Sequence, residues 1–389
     1  MNMEKLGKYC KIISGYAFKS NDLSEGTEIP VIKIGNISNG NDVIIDSSTQ
    51  YVSSDFLSID EKYHIKKGDV LISLTGSHIN QPNSMVGRSC RNFSDIEFLL
   101  NQRAGKVIPN ENADKNYLYY LLNTESFKYS ICNRAYGAAN QANVSPSDIE
   151  NIKWNFPPLL TQQKIASILS TYDNLIQNYK KQIEALQTAA SELYKEWFVR
   201  FRFPGYQTTK FENGIPEGWK VVLASELGEF VRGKNITAEE MQEGMIPVIS
   251  AGIEPSGFHN QSNVKGVSLT ISNSGANAGY LQINYSDIWA ADCSYCNSAK
   301  HIYFYYELLN NMRVVLFNLQ KGAAQPHVYA KDINKMKILL PSTELIGTAN
   351  KKIKLMHEKI YSLQQQITNL TQQRDLLLPR LMSGKLEVE

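Results

Sequence analysis

Two cysteines with a short spacing are the first residues that could do chemistry in this sequence. Cys293 and Cys296 have the C-x-x-C spacing that is found in zinc sites and in redox-active thiol pairs. Structural zinc needs four ligands, and neither a second such pair nor a pair of histidines lies nearby. The pattern therefore favours two ordinary thiols, with zinc or redox chemistry as the less favoured alternative.

The motifs that bind nucleotides or mark hydrolytic sites do not occur. No two glycines are separated by a single residue, which excludes the G-x-G dinucleotide fingerprint. No Gly-Lys pair is followed by Ser or Thr, which excludes a Walker-type phosphate loop. The six histidines form no recognisable set with Ser, Cys or Asp. An enzyme that works alone is therefore disfavoured, and a catalytic set without a known motif stays an alternative.

Composition indicates an ordinary globular protein. The chain has 389 residues, 42% hydrophobic and 20% charged, a length that predicts two domains or slightly more. There is no apolar run of membrane-spanning length, no signal-peptide pattern at the start, and only five cysteines, so we expect a cytoplasmic protein with no membrane partner. The net charge is only +2 and neither globular half has a basic excess. Binding to DNA would therefore need local patches or a basic partner.

An internal repeat is the most informative feature of the sequence. Identical residues recur at one constant offset, as in Val144 and Val328, Asp148 and Asp332, Pro157 and Pro341. Earlier pieces recur in the same order at shifting offsets, such as Ile-Pro-Val-Ile at 29–32 and at 246–249. This shared order favours a duplication over chance similarity.

Each half ends in a segment with heptad spacing. Apolar residues alternate by three and four positions, which keeps one stripe facing a partner helix as in coiled coils. These seam residues are Ile165, Leu169, Tyr172, Ile176, Tyr179, Ile183, Leu186 and Leu193, and then Ile353, Met356, Ile360, Leu363, Ile367, Leu370 and Leu377. Arg374 is the charged residue on the seam, and we interpret it as lying at the seam's edge with its charge in water.

The patterns divide the chain into four segments. They are a first domain (1–157), a central helix (158–203), a second domain (204–341, beginning with a linker over 204–220) and a C-terminal helix and tail (342–389). A helix of this length spans about 60 Å, whereas the intervening domain has a radius of gyration of about 14 Å. Helices that pair within the chain must therefore run antiparallel, and pairing between chains stays an alternative.

The predicted fold class is α+β, with two mixed α/β domains in a pseudo-twofold repeat, separated by two long antiparallel coiled-coil helices. β-branched runs predict strands at 30–34, 69–74 and 267–272, and we expect helices at 116–122 and 303–319. Polar loops at 75–81 and 273–279 follow equivalent strands but differ in sequence. The two domains therefore share a scaffold and differ in their loops.

Motifs around the helices resemble a known family over essentially the whole chain. They are FPPLLTQQKIA (156–166), EWFVRF (196–201), IPEGW (215–219) and LLPRLMSG (377–384). In this order they resemble the specificity subunit of type I restriction-modification systems. The resemblance implies a non-catalytic subunit whose two target-recognition domains each bind one part of a split, asymmetric sequence in double-stranded DNA. A scaffold with two ligand-binding domains on a coiled-coil rod is the alternative function.

The resemblance also implies the partners. The helices would space the domains and bind two copies of an adenine-N6 methyltransferase subunit, which uses S-adenosylmethionine. A motor-nuclease (restriction) subunit that uses ATP and magnesium joins such complexes in some systems. No cofactor and no metal are implied for this chain itself.

Base readout needs polar side chains with paired donors and acceptors on loops. The candidates for DNA binding are Thr75, Ser77, Asn80, Gln81, Arg88, Asn140 and Gln141 in the first domain and Asn273, Ser274, Asn277, Tyr280, Lys321, Gln325 and His327 in the second. For each residue alone, a turn-forming or solvated role is the more common alternative. The stretch 101–103 (Asn-Gln-Arg) has two alternative roles, base readout or an internal hydrogen-bond network, and we favour the internal network.

Overall fold

A computed structural model of the chain describes residues 3–26, 28–78, 85–138, 141–322 and 325–388. The chain divides into two compact units. Unit 1 comprises residues 1–178 and 367–389, and unit 2 comprises residues 179–366. In the described part of the chain, no helix combines the length and the apolar character that crossing a lipid bilayer requires.

The helices include two long ones that each contribute to both units. The helices are α1 (Lys115–Asn123), α2 (Glu125–Cys132), α3 (Pro146–Glu150), α4 (Leu159–Tyr194), α5 (Ile302–Asn311), α6 (Arg313–Phe317), α7 (Ala330–Asn334) and α8 (Thr343–Met382). Helix α4 has 36 residues and α8 has 40. A wider helical turn over Lys195–Val199 follows α4.

Side-chain caps explain where the short helices of unit 1 begin. The Asp114 carboxylate accepts a hydrogen bond from the Tyr117 amide, the Thr124 hydroxyl accepts from the Phe127 amide, and Ser145 accepts from Asp148. Each bond satisfies an amide that has no partner within its helix. These caps fix the residues at which α1, α2 and α3 begin.

The described residues of unit 1 form four sheets. Its strands are β1 (Glu4–Lys5), β2 (Cys10–Ser14), β3 (Ile29–Ile32), β4 (Gln50–Val52), β5 (His64–Ile65), β6 (Val70–Ser73), β7 (Thr75–Gly76), β8 (Ser89–Arg91), β9 (Phe98–Leu100), β10 (Ala104–Pro109), β11 (Tyr136–Ala138), β12 (Gln141–Asn143) and β13 (Lys153–Trp154). The sheet orders are β2-β10-β6-β8, β4-β3-β9-β5, β11-β12-β7 and β1-β13.

Unit 2 repeats this scheme with fewer strands. Its strands are β14 (Phe211–Glu212), β15 (Ile215–Pro216), β16 (Lys220–Leu223), β17 (Val231–Arg232), β18 (Ile246–Ile249), β19 (Gly257–His259), β20 (Ser268–Ser272), β21 (Leu281–Asn284), β22 (Trp289–Ala290), β23 (Cys293–Cys296) and β24 (Lys337–Leu340). The sheet orders are β17-β23-β20-β21, β19-β18-β22, β16-β24 and β14-β15.

The two main sheets of each unit correspond in strand order. The four-stranded sheet β2-β10-β6-β8 has its counterpart in β17-β23-β20-β21. Strands β3 and β18 both read Ile-Pro-Val-Ile, and each pairs in parallel with one neighbour (β9 or β22) and antiparallel with another (β4 or β19). The α+β class and the internal repeat predicted from the sequence are confirmed.

The heptad positions form the buried stripe of the long helices. All fifteen predicted seam residues are buried or half-buried. Within unit 1, Leu381 shares a hydrophobic core with Ile165 and Leu169, while Asp173 contacts Arg374. Residue numbers thus rise along α4 as they fall along α8, so the two helices run antiparallel within this unit. Unit 2 has its own core, in which Ile346 and Ile353 of α8 lie with Tyr194 of α4.

Three local expectations are wrong. Thr75 and Gly76 belong to a strand, β7, rather than to a loop, because they pair with β12. Gln141 likewise begins β12 instead of lying in a loop. The helix expected over 303–319 is two helices, α5 and α6, because the chain leaves the helical conformation at Met312, whose φ and ψ are −99° and 20°.

Candidate nucleic-acid interface

In unit 1, two groups of candidate residues that are far apart in the sequence lie together. Strand β7 pairs with β12, which places Thr75 opposite Asn143. The Thr75 hydroxyl donates to Asn143 Oδ1 at 2.8 Å. Gln141 is exposed at the start of β12, whereas Ser77 is buried and forms a β-bridge with Met85. The hairpin β11-β12 and the end of the β6-β7 segment therefore lie side by side, with Thr75 and Ser77 buried and Gln141 exposed.

Among the remaining candidates of unit 1, Arg88 is the one that lies within the described residues. Asn80, Gln81 and Asn140 lie outside the described residues. Arg88 is half-buried, and its Nη2 donates to the carbonyl of Ile34 at 3.0 Å. Burial lowers the pKa of its guanidinium. Arg88 is thus bonded to its own domain.

The candidates of unit 2 meet at the equivalent place. Ser274, which follows β20 by two residues, and His327 form a β-bridge, and His327 pairs with Lys321 in turn. Asn277 is half-buried and its carbonyl accepts from the Tyr280 amide at 2.9 Å. The Tyr280 side chain is exposed, as is that of Gln325 in the neighbouring segment. The two candidate groups of this unit therefore also share one surface.

A cleft of about 160 Å³ opens in this surface of unit 2. Its lining residues are Arg232, Asn273, Asp292, Ser294, His327, Val328, Tyr329 and Ala330. The Ser294 hydroxyl donates to Asn273 Oδ1 at 2.7 Å, and the Ser274 hydroxyl donates to Asp292 Oδ2. These two bonds fix the amide and the carboxylate in the wall of the cleft.

Basic and aromatic groups surround the cleft. Arg232 is exposed, and the Lys331 Nζ lies 5.6 Å from the centre of the Tyr329 ring. The His327 ring is stacked on Tyr329 with 6.1 Å between ring centres. Lys321 is exposed and forms an ion pair with Asp332 at 2.7 Å. The surface thus combines positive charge with aromatic rings on which bases can stack, as protein surfaces that bind nucleic acids do.

Sequence reasoning missed two polar residues of these surfaces and favoured an internal role for a third. Asn143 and Asp292 contact the candidates Thr75 and Ser274 directly. Arg103 is the third, because its side chain is exposed, which fits the readout alternative for 101–103 and not the favoured internal network. Asn101 does have the internal role, because it is buried and its Oδ1 accepts a hydrogen bond from the Arg103 amide at 3.4 Å. The signal that could have identified Arg103 and Asp292 is their position just before a strand inside the four-stranded sheet, β10 or β23.

Buried polar groups join the long helices to the domains. In unit 1, Asp173 of α4 accepts hydrogen bonds from Arg91, Arg374 and Tyr120. The interpretation of Arg374 as a solvated edge residue is therefore wrong: its side chain is only 13% exposed, because it neutralises a buried carboxylate. In unit 2, His357 of α8 donates from Nε2 to Glu307 Oε1 at 3.2 Å, and its Nδ1 bonds the Tyr285 hydroxyl at 2.8 Å.

The thiols of the C-x-x-C pair lie in the core of unit 2. Cys293 and Cys296 are free and buried at the two ends of β23. Burial raises the pKa of the Cys293 thiol to about 12 and also raises that of Cys296. Within the described ranges, no cluster of three or more His, Cys, Asp or Glu side chains could hold a metal ion.

Comparison with family models gives one match that occurs twice. The model described as "Type I restriction modification DNA specificity domain" matches residues 1–188 and again residues 216–376. The two matches correspond to the two halves of the internal repeat.

Full-length relatives carry related descriptions. The chain is 28% identical over 318 residues to a type I restriction enzyme specificity subunit (MjaIX) of Methanocaldococcus jannaschii, covering 74% of this chain and 73% of that protein. It is 23% identical over 387 residues to a putative type I specificity subunit of Mycoplasma genitalium, covering 92% and 97%. A crystal structure of a type I restriction-modification S subunit from M. genitalium shares the fold, with a TM-score of 0.61, 18% identity and coverage of 98% of this chain and 95% of that one.

Proposed function

The chain belongs to the family of type I restriction-modification DNA specificity subunits, and from this premise we propose that it reads a split, asymmetric DNA target, one half-site per unit. One observation carries the proposal: the same scaffold occurs twice and presents different polar groups at the same place. Unit 1 places the half-buried Asn143 and the exposed Gln141 there, with Thr75 buried against Asn143. Unit 2 places the cleft with Asn273 and Asp292 there. Two copies of one scaffold with unlike surfaces suit two unlike half-sites.

The chemistry of these surfaces supports the choice of DNA as ligand. Amide, hydroxyl and carboxylate groups supply the donors and acceptors that distinguish base edges in the major groove. The exposed Arg232 and Lys331 beside the cleft suit contacts to phosphate oxygens, which orient a protein on the duplex. The weak net charge of +2 limits non-specific binding by the chain alone.

In the proposed complex, this chain recognises DNA and the partner subunits perform the chemistry. The long helices α4 and α8 space the two half-sites and bind two copies of an adenine-N6 methyltransferase subunit. Exposed apolar residues on both helices, among them Leu160, Leu175, Leu355 and Leu376, supply contact area for such partners. S-adenosylmethionine belongs to the methyltransferase, and ATP and magnesium belong to a restriction subunit where one takes part.

The test is to map N6-methyladenine in a host that lacks adenine methylation of its own. The full chain is expressed with and without a type I methyltransferase subunit from the same source organism, and the methyltransferase is also expressed alone. We expect methylation at a single split, asymmetric motif only when both proteins are present. Methylation that does not depend on this chain, or a motif that is continuous and palindromic, would overturn the proposal.

A further inference from the structure

One backbone position is equivalent in the two units but carries opposite charges. Arg103 in unit 1 immediately precedes β10, and Asp292 in unit 2 immediately precedes β23. The Arg103 carbonyl accepts from the Leu74 amide at 3.0 Å, and the Asp292 carbonyl accepts from the Asn273 amide at 3.3 Å. Leu74 and Asn273 each directly follow the neighbouring inner strand, β6 or β20. The repeated scaffold therefore places Arg103 and Asp292 at the same point.

In unit 2 this position offers hydrogen-bonding groups that no described residue uses. The Ser274 hydroxyl donates to Asp292 Oδ2, and no described residue donates to Oδ1 of the same carboxylate. Asn273 is only 7% exposed and its Oδ1 accepts from Ser294, but its Nδ2 donates to no described residue. Both residues line the cleft of about 160 Å³. The cleft wall thus holds an acceptor and a donor that have no partner among the described residues.

This pair fits the edge of a base better than it fits a phosphate. A carboxylate repels an anion, whereas it accepts from the exocyclic amino group of adenine or cytosine. Guanine and thymine present an acceptor at the corresponding place in the major groove, so a carboxylate disfavours them. Arg232, exposed at the cleft, is the group suited to a neighbouring phosphate.

Unit 1 presents the complementary chemistry. The Arg103 side chain is exposed, and its guanidinium makes no hydrogen bond or ion pair with a described residue. Its neighbour Leu74 is apolar, so this unit lacks the amide that Asn273 supplies in unit 2. The paired donors of arginine match O6 and N7 of guanine.

We propose that this position determines base specificity in both units. Asp292 reads the amino group of an adenine or a cytosine in the half-site of unit 2, and Arg103 reads a guanine in the half-site of unit 1. The inference rests on the proposed function, because it requires each unit to bind DNA.

The test uses the full chain with its methyltransferase subunit and reads the methylated motif. In Asp292→Asn, the Ser274 hydroxyl bonds the amide oxygen and the amide nitrogen takes the place of Oδ1. The preference for adenine or cytosine should then fall about 5- to 150-fold at one position of one half-site and shift towards guanine or thymine. Arg103→Gln should weaken the preference for guanine at one position by a similar factor, and only in the other half-site. Asp287→Asn is the matched control: Asp287 bonds Lys265 and does not line the cleft, so the motif should not change.

A second measurement needs no variant. Duplexes are prepared in which each adenine or cytosine of that half-site, other than the methylated adenine, is replaced in turn by purine or 2-pyrimidinone, which lack the amino group. The wild-type complex should methylate one of these duplexes more slowly by the same factor. The inference is overturned if none responds, if the motif of Asp292→Asn is unchanged, or if both half-sites change in one variant. A wild-type complex without any split motif would overturn the proposed function itself, and the inference with it.

Discussion

Replacing Asp173 by alanine is expected to destabilise unit 1 strongly. Asp173 is 4% exposed and lies between two guanidinium groups. Arg91 Nη2 donates to its Oδ2 at 3.1 Å, and Arg374 Nη1 donates to its Oδ1 at 2.7 Å. The Tyr120 hydroxyl also donates to Oδ2, at 2.5 Å. One carboxylate therefore compensates two cations and a hydroxyl that are largely removed from water.

The magnitude follows from the charges that alanine would leave behind. The side chains of Arg91 and Arg374 are 5% and 13% exposed, and arginine does not lose its proton in proteins. Removing one partner of a buried ion pair costs about 3–5 kcal/mol. The rings of Phe93 and Tyr119, 4.4 and 5.0 Å from the Arg91 guanidinium, retain part of its stabilisation. We expect Asp173→Ala to lower the free energy of unfolding of unit 1 by about 4 kcal/mol.

Urea unfolding followed by hydrogen exchange in peptides of unit 1 measures this loss separately from unit 2. Asp375→Ala is the matched control, because Asp375 bonds the same Arg374 but is 56% exposed, and its loss should stay below about 1 kcal/mol. Replacing Arg91, Asp173 and Arg374 together by Met, Leu and Met should recover most of the stability, because no unpaired charge remains. A loss for Asp173→Ala as small as that of the control would refute the reasoning.

Two further predictions concern buried thiols and backbone geometry. Burial raises the pKa of the Cys10, Cys90 and Cys293 thiols to about 12. The folded state therefore keeps its full stability with respect to these thiols below pH 9. Its free energy of unfolding falls as the pH rises towards 12, because the thiols ionise first in the unfolded chain. At pH 8 these thiols should react with a disulfide reagent roughly a thousandfold more slowly in the native than in the unfolded chain, and fast native modification would contradict this. Gly137→Ala should lower the free energy of unfolding, measured in urea, by more than about 1 kcal/mol. The reason is that Gly137 has a φ of +117° and an added Cβ would lie 2.4 Å from the Gln141 carbonyl oxygen. Gly35→Ala is its control, since nothing lies within 4 Å of an added Cβ there and its loss should be far smaller.

The periodic parts of this fold are predictable from the sequence because they depend on local patterns. The heptad spacing alone marks the buried stripe of α4 and α8, and β-branched runs locate strands such as β6 and β20 to within a residue or two. The repeat is visible because both halves keep the same order of short identities. These features need no knowledge of which segments meet in space.

The polar surfaces depend on pairings that the sequence does not reveal. Thr75 and Asn143 are 68 residues apart, and nothing local shows that their strands pair. Arg374 reads as a solvated seam residue until Asp173, 201 residues away, is placed beside it. Arg103 and Asp292 become equivalent only through main-chain bonds to Leu74 and Asn273. Residue type gives the chemistry available, while the register between distant strands decides where it acts.

The bonds between helix and domain show how the two copies diverged. Asp173 and His357 occupy equivalent helix positions at the constant offset of the repeat, and Tyr120 and Glu307 occupy equivalent positions in α1 and α5. In unit 1 the helix supplies the acceptor and the domain the donor, whereas in unit 2 the helix supplies the donor and the domain the acceptor. Combining the domain of unit 2 with the helix of unit 1 would bring Glu307 against Asp173, two buried carboxylates that repel each other. Each domain is therefore matched to its own helix, so the copies could change their surfaces for DNA freely but could exchange domains only if the helix residue changed with them.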